Sequence, residues 1–407
     1  MGTAGAKLLR LIYAVNEGVD FRRARFQQIF QTVHALARQD CEVDLLIGNN
    51  RGDQLSEALA YYGLSPHENL RIHPIPMLRR EKGRLIRLSW GGVFLWFCSA
   101  KVRRLVKEKA YDALYTRHLR PASLFLKLKG YLRINILFEA HEIFHLTTER
   151  KDKLEKIRRE ESLTYSRMDG ILSITRGLAE QMKELFALQA PMAVVPDGVN
   201  PYFFGGPSRR SRDKKVVYVG QLYPWKGTGT LVEAVPDLPG GELHVVGGGE
   251  DRIQALREKA ARLGVAGRIF FHGQVSPQEV KAHLEDAAVA VLPLGQDLIS
   301  ASFTSPLKLF EYMAARVPIV ASDLPSTREV LTHGVNAILV PPGDPRALAE
   351  GIRELLEDRP LADKIAEKAF EDVQEYTWEK RAQKIMRFLR SLPKVGAGVS
   401  GGRSFST

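Results

Sequence analysis

This sequence predicts an α/β protein built from two Rossmann-like domains, and three observations predict it. Short apolar runs of strand length alternate with longer amphipathic stretches, the pattern of parallel sheets covered by helices on both faces. The alternation occurs as two series, parted by a loop rich in Pro, Gly, Ser and Arg at 201–213. A chain of 407 residues is also too long for one ordinary core.

In the first series strands are expected at 8–15, 43–47, 113–116, 135–139 and 170–174, with helices such as 26–38 and 99–108 between them. In the second they are expected at 216–219, 242–246, 269–272, 289–292, 319–321 and 337–340. A last amphipathic stretch at 378–392 reads as a helix, and the Gly/Ser-rich tail after it as disordered. The expected division is a first domain at 1–198, a second at 199–376, a final helix at 377–392 and a tail at 393–407.

Composition is that of a water-soluble globular protein, 44% hydrophobic and 26% charged. Two cysteines, Cys41 and Cys98, make no disulfide framework and match no metal-ligand spacing, so a reducing compartment is expected. The opening residues enter a strand-like run without the layout of a signal peptide, which makes the expected location cytoplasmic.

The net charge of +12 is unevenly placed. Between Arg71 and Arg133 there are 16 Lys/Arg against three acids, so the rest of the chain is close to neutral. Within this segment Arg79, Arg80, Lys82 and Arg84 precede an uncharged stretch, 88–100, that holds Trp90, Phe94, Trp96 and Phe97, and Arg103 and Arg104 follow it. That stretch is too short to span a bilayer. Aromatic residues flanked by basic ones suit the headgroup boundary of an anionic membrane, which would place the protein peripherally on its inner face. The plainer reading is a helix packed in the first domain with solvated basic ends. No recognition motif accompanies the charge, so nucleic acid is not an expected partner.

Two constellations carry chemistry. The strand at 216–219 runs into GQLYPWKG, where Gly220 lets backbone approach a ligand and Lys226 can reach a phosphate as a point charge. Further on, Thr304-Ser305-Pro306 precedes LKLFEYMAARVPIVAS. Ser305 is expected as an N-cap and Pro306 as the first helical residue, which aims helix N–H groups at an anion. Glu311 then lies among Leu309, Phe310, Tyr312 and Met313 and needs a partner. That partner is either Lys308, three residues before it, or the two hydroxyls of a ribose.

In order, VVPDGVN (194–200), VGQLYPWKG (219–227), VVGGGEDRIQALREKAARLGV (245–265), FHGQV (271–275), SPLKLFEYMAARVPIVAS (305–322), NAILVPPGD (336–344) and TWEKRAQKI (377–385) resemble the retaining glycosyltransferase family 4. The resemblance implies the GT-B fold: an acceptor domain, a donor domain facing it across a cleft, and a final helix crossing back to the first. It implies a nucleotide-diphosphate sugar as donor, Lys226 on the diphosphate in the Gly220–Gln221 loop, and Glu311 on the ribose. Backbone groups of Ser305, Pro306 and Leu307 would hold phosphate, and Val275 would lie against the base. His141, in FEAHEIF, matches the histidine beside the transferred sugar, and the loop at 16–18, ending on Gly18, the one that closes over the donor.

The sequence departs from the family pattern twice. A glutamate is common eight positions before Glu311, where Phe303 stands, and an arginine is common where Gln221 stands. Lys308, or an arginine among Arg22, Arg23 and Arg25, is a candidate to supply the missing charge. These departures keep a second reading open, a GT-B sugar-nucleotide-binding protein or epimerase that does not transfer.

A nucleoside diphosphate leaving group gathers charge in the transition state, and Lys226 with a helix N-terminus can stabilise it. No paired-acid metal motif sits at a suitable loop, so neither metal nor cofactor is expected. The expected activity is retaining transfer of a hexose-type sugar, from a UDP-sugar by slight preference, to a saccharide or lipid-linked acceptor in cell-surface glycan synthesis. The preference for uridine rests on Ser276-Pro277, after the strand on the base side, where no acid stands to meet guanine's donor edge.

Overall fold

The computed structural model describes residues 8–18, 20, 23–49, 54–77, 90–204 and 214–395. Arg22, Arg79, Arg80, Lys82, Arg84, the Trp90 side chain, the linker at 205–213 and the tail from 396 onward lie outside the described residues. The chain forms two compact units: Met1–Ile174 with Leu178–Val195 and Glu379–Thr407, and Thr175–Gly177 with Pro196–Trp378.

The first unit is built on seven parallel strands: β1 (Leu9–Gly18), β2 (Cys41–Asn49), β3 (Leu70–Pro76), β4 (Ala113–Thr116), β5 (Asn135–Ala140), β6 (Gly170–Ser173) and β7 (Met192–Val194). Their spatial order is β3-β2-β1-β4-β5-β6-β7. The central strands β4, β5 and β6 are buried throughout, as expected where helices cover both faces of a sheet. Both strands absent from the expected set are edges. β3 carries Pro74 and Pro76 and buries only Ile75, and proline is tolerated only where one side of a strand has no ladder to serve. β7 is three residues long and leaves little apolar signal.

The second unit has six parallel strands: β8 (Lys215–Val219), β9 (Glu242–Val246), β10 (Ile269–Gly273), β11 (Val289–Leu292), β12 (Ile319–Ser322) and β13 (Ile338–Val340). Their order is β10-β9-β8-β11-β12-β13. Chain order reverses between β8 and β11, and ligands in such sheets bind beyond the strand C-termini at that point. Two apolar clusters cover the two faces, one around Val216, Val245 and Ile352, the other around Val217, Leu292 and Phe310.

The C-terminal helix Trp378–Ser391 belongs, from Glu379 on, to the first unit. Arg381 on it donates from Nε to Thr32 Oγ1 of the helix Ala24–Ala37, at 3.1 Å, in a buried contact.

Candidate active site

Lys226 ends a short turn, Pro224–Lys226, that follows β8. The backbone on either side of the turn holds it. Gly227 has φ +67°, and a Cβ there would stand 1.5 Å from the Pro293 carbonyl oxygen, so only glycine lets the turn pack against the end of β11. Upstream, the Trp225 carbonyl accepts from Gly295 N–H at 2.9 Å and from Ser300 Oγ at 3.1 Å. Burial lowers the Lys226 pKa, and the nearby Asp297 carboxylate opposes this.

Lys308 comes to the same place from the other constellation. It stands on the helix Leu307–Ala314, fixed to β8 by Tyr312, whose hydroxyl accepts from Val219 N–H at 2.8 Å. Lys308 is one turn before Tyr312 on the same face, so it is carried to Gly220, where a Cβ would lie 3.1 Å from Lys308 Nζ. The ammonium lies 3.8 Å from the Tyr218 ring centroid. Lys308 is buried and its Nζ has no hydrogen-bond acceptor among the described residues. Burial, reinforced by Lys226, holds its pKa well below the usual lysine range against the pull of Glu311. Lys308 thus makes no hydrogen bond to Glu311, and its Nζ lies over an aromatic face instead.

Ser305 does not cap this helix, contrary to expectation. Pro306 occupies the cap position in an extended conformation (ψ 111°), and the helix starts at Leu307. The Ser305 hydroxyl accepts instead from Asp197 N–H at 3.1 Å, tying the helix start to the PDG turn. The N–H groups of Leu307 and Lys308 remain at the helix mouth, where no intrahelical acceptor exists for them. Glu311 is buried one turn on. Gln221 accepts through its carbonyl from the Tyr218 hydroxyl at 2.8 Å. Phe303 is fully buried and offers no oxygen to a sugar. Val275 packs half-buried on the apolar cluster just before Ser276. The nearest acid on that side, Glu279, forms a capping box with Ser276, with bonds of 2.7 and 2.8 Å to its hydroxyl and N–H.

In the first unit His141 follows directly on β5, with its Nε2 3.4 Å from Glu139 Oε1. Burial, then Arg117, push its pKa down to about 4, so the ring is neutral at pH 7. Glu139 is a hub that the sequence did not reveal. It accepts from the Tyr13 hydroxyl at 2.9 Å, from Gln28 Nε2 at 2.7 Å and from Arg381. Burial would raise this carboxyl, but Arg381, His141 and Arg117 hold it well below the carboxylate range. The segment 16–18, expected as a loop, is the end of β1, with Gly18 paired to Gly48 after a register shift. Arg25 and Arg23 are committed nearby, to Glu17 at 2.7 Å and Asp20 at 3.0 Å. Lys308 is thus the candidate for the missing charge that lies at the Gly220 loop.

The described part of the stretch expected at the membrane lies in one helix, Trp90–Glu108, longer than the expected 99–108. Phe94, Cys98, Val102 and Leu105 face the core, whereas Trp96 is 66% exposed and Phe97 39%. The packed reading holds for the inner side of the helix, and the outer side leaves Trp96 and Phe97 exposed. Arg103 lies 5.9 Å from the exposed Tyr131 ring, and with Arg104 and Lys107 lines a depression of about 720 Å³.

Residues 27–203 match the family model for Glycosyltransferase Family 4, and residues 213–358 the model for Glycosyl transferases group 1. The chain belongs to glycosyltransferase family 4. A phosphatidyl-myo-inositol mannosyltransferase of Mycobacterium leprae is 32% identical over 53% of this chain, which spans 58% of that protein. The enzyme of that name from Mycolicibacterium smegmatis is 28% identical over 82% of the chain and 85% of its own length. Anabaena HepE, solved with UDP and glucose, superposes with TM-score 0.72 at 17% identity, covering 94% of this chain and all of that one. The fold of this family 4 chain is accordingly GT-B.

Proposed function

We propose that the protein is a retaining, metal-independent glycosyltransferase that takes a hexose-type sugar from a nucleoside-diphosphate donor, a UDP-sugar by preference. The observation that carries this is Lys308. A buried lysine with no acceptor among the described residues is costly to charge, and Lys226 beside it raises the cost by repulsion. A diphosphate between the two lysines would offset both terms. The N–H groups of Leu307 and Lys308 would add to the cradle, and Glu311 would take the ribose. As the donor bond breaks, the charge arriving on the β-phosphate is met by groups already in place. The leaving phosphate then takes the acceptor hydroxyl's proton on the same face. His141, neutral at working pH, would hydrogen-bond the reacting sugar or phosphate rather than supply a proton.

For the acceptor, a lipid-linked or saccharide hydroxyl at an anionic membrane surface fits best. Trp96 and Phe97 stand out from a helix that turns Arg103, Arg104 and Lys107 toward solvent, and the relatives named above carry a phospholipid in their names. Among the described residues no helix is long and apolar enough to cross a membrane. Uridine is favoured because Glu279 is taken up by its cap.

A thermal-shift panel of UDP, GDP, ADP and dTDP tests the donor reading. A ligand at ~100 times its Kd stabilises by about 2.7 kcal/mol. UDP should shift wild type selectively and Lys308→Met much less. A shift with GDP alone would reassign the base, and no shift with any diphosphate would overturn the proposal.

A further inference from the structure

His244, His272 and His283 bring ring nitrogens within 4.8 Å of one another. They come from three elements of the second unit: β9, the edge strand β10, and the helix Pro277–Glu285 that returns along the sheet. Each is at least partly accessible, and His272 is exposed. We propose that these three imidazoles bind one divalent transition-metal cation of the Zn²⁺ class.

The arrangement is oriented as well as close. Glu242 Oε2 lies 3.1 Å from His244 Nε2, so that nitrogen carries the proton and Nδ1 presents its lone pair inward. A carboxylate behind an imidazole is the partner that metal-bound histidines usually have. His244 Nδ1 stands 2.9 Å from His272 Nε2, and the His272 and His283 ring centroids are 4.3 Å apart. Two nitrogens on one tetrahedral ion, with bonds of about 2.0–2.1 Å, lie ~3.3 Å apart. The first pair must therefore open by a few tenths of an ångström, which an exposed ring on an edge strand allows. Phe270 stacks on His244 from outside at 5.1 Å.

The surrounding charges bear on which ion fits. Lys215, the first residue of β8, faces all three rings and disfavours their protonation, as burial does. It also opposes a cation, but Asp286 stands 4.0 Å from it and Glu242 sits on the opposite side of His244. The balance calls for an ion bound by covalent preference for imidazole rather than by net charge. That selects Zn²⁺, Cu²⁺ or Ni²⁺ over Mg²⁺ and Ca²⁺. With three histidines the fourth position is left to water. Cys41 and Cys98 are buried in the other unit and do not compete. His244 pairs with Val217, three residues before Gly220 and so about 10 Å from it along the strand, which puts the three histidines beside the proposed phosphate cradle and not within it. A bound ion would clamp the β10 edge and the helix Pro277–Glu285 to the sheet.

The test is calorimetric titration of the tag-free full chain with Zn²⁺, and with Mg²⁺ in parallel. Wild type should bind one Zn²⁺ saturably and ignore Mg²⁺. His272→Ala and His283→Ala, each melting like wild type in EDTA, should each weaken binding more than 10-fold. No saturable Zn²⁺ binding, or unchanged affinity in both variants, overturns the proposal. Should a variant fail to fold, Co²⁺-loaded wild type decides. Intense visible bands of a tetrahedral site support the three-histidine ligation, and weak octahedral bands reject it.

Discussion

Arg381, on the C-terminal helix, donates to Glu139, two residues before His141, and both side chains are completely buried. This one ion pair ties the end of the chain to the strand that carries the first unit's candidate site residue. Removing one partner of a buried pair leaves the other as an uncompensated charge, which costs about 3–5 kcal/mol. Arg381→Met should therefore lower the denaturation midpoint of the first unit sharply. Pairing it with Glu139→Gln should recover part of the loss. Equal midpoints for wild type and Arg381→Met would show that Tyr13 and Gln28 suffice to hold the carboxylate.

Lys226→Ala should cut turnover on the order of 10²–10³-fold with little change in melting, because a charge used mainly in the transition state is lost. Lys226 ends a turn whose backbone is held by Pro293, Gly295 and Ser300, so its side chain is dispensable for folding. Steady-state kinetics with a natively melting variant reads this directly, and near-wild-type turnover would remove Lys226 from the leaving-group site.

Transfer should persist in excess EDTA. The cradle proposed here consists of two lysines and helix N–H groups, which do the work of a divalent ion. Chelation should strip any cation from His244, His272 and His283 and lower the melting temperature without stopping turnover. Complete loss of activity restored by Mg²⁺ or Mn²⁺ would reveal a metal in the chemistry.

Stability should fall as pH drops through the histidine range. The folded pKa of His141, about 4, lies below the ~6.5 of a free imidazole, so the native state binds fewer protons between these values. Its contribution is complete above pH 6.5 and is lost progressively toward pH 4, by which point the loss is on the order of 3 kcal/mol. His34 and His118 are lowered too, mainly by burial, and act with the same sign. Calorimetric scans at pH 7.5 and 5.0 should show a drop for wild type and a smaller one for His141→Gln. Equal drops in both would mean that His141 is solvated.

What was legible in the sequence depended on how local the cause is. The apolar runs of β4, β5 and β11 announce themselves because every residue is buried, whereas β3 hides behind Pro74 and Pro76. Gly220 and Lys226 could be singled out because a glycine after a strand is itself a local signal. Lys308 could be read two ways, as a helix partner of Glu311 or as a source of the missing charge. Spacing alone does not choose between them, and only the Tyr312–Val219 bond turns it toward Gly220. Glu139 and Arg381 are separated by 242 residues, and no spacing rule connects them. The three histidines likewise converge only in the fold, two through sheet register and one from the helix Pro277–Glu285.

The basic helix gives the sharpest test of the acceptor side. Trp96 and Phe97 meet edge to face, centroids 4.7 Å apart, on the solvent side of Trp90–Glu108, while Phe94, Cys98 and Val102 hold its other side in the core. Replacing the outer pair with Ser should therefore spare the fold. Lys and Arg near an anionic surface contribute about 1 kcal/mol each, so reversing Arg103, Arg104 and Lys107 to Glu should abolish flotation with anionic liposomes. Wild type should float with these, much less with neutral ones, and less as salt rises, since screening shortens to ~3 Å at 1 M. The Trp96/Phe97 variant should float weakly at every salt concentration, because the loss there is apolar. Donor binding should survive both changes, as the lysine cradle is in the other unit. A wild type that ignores anionic liposomes would leave the exposed aromatics without a lipid partner and point to a soluble saccharide as acceptor.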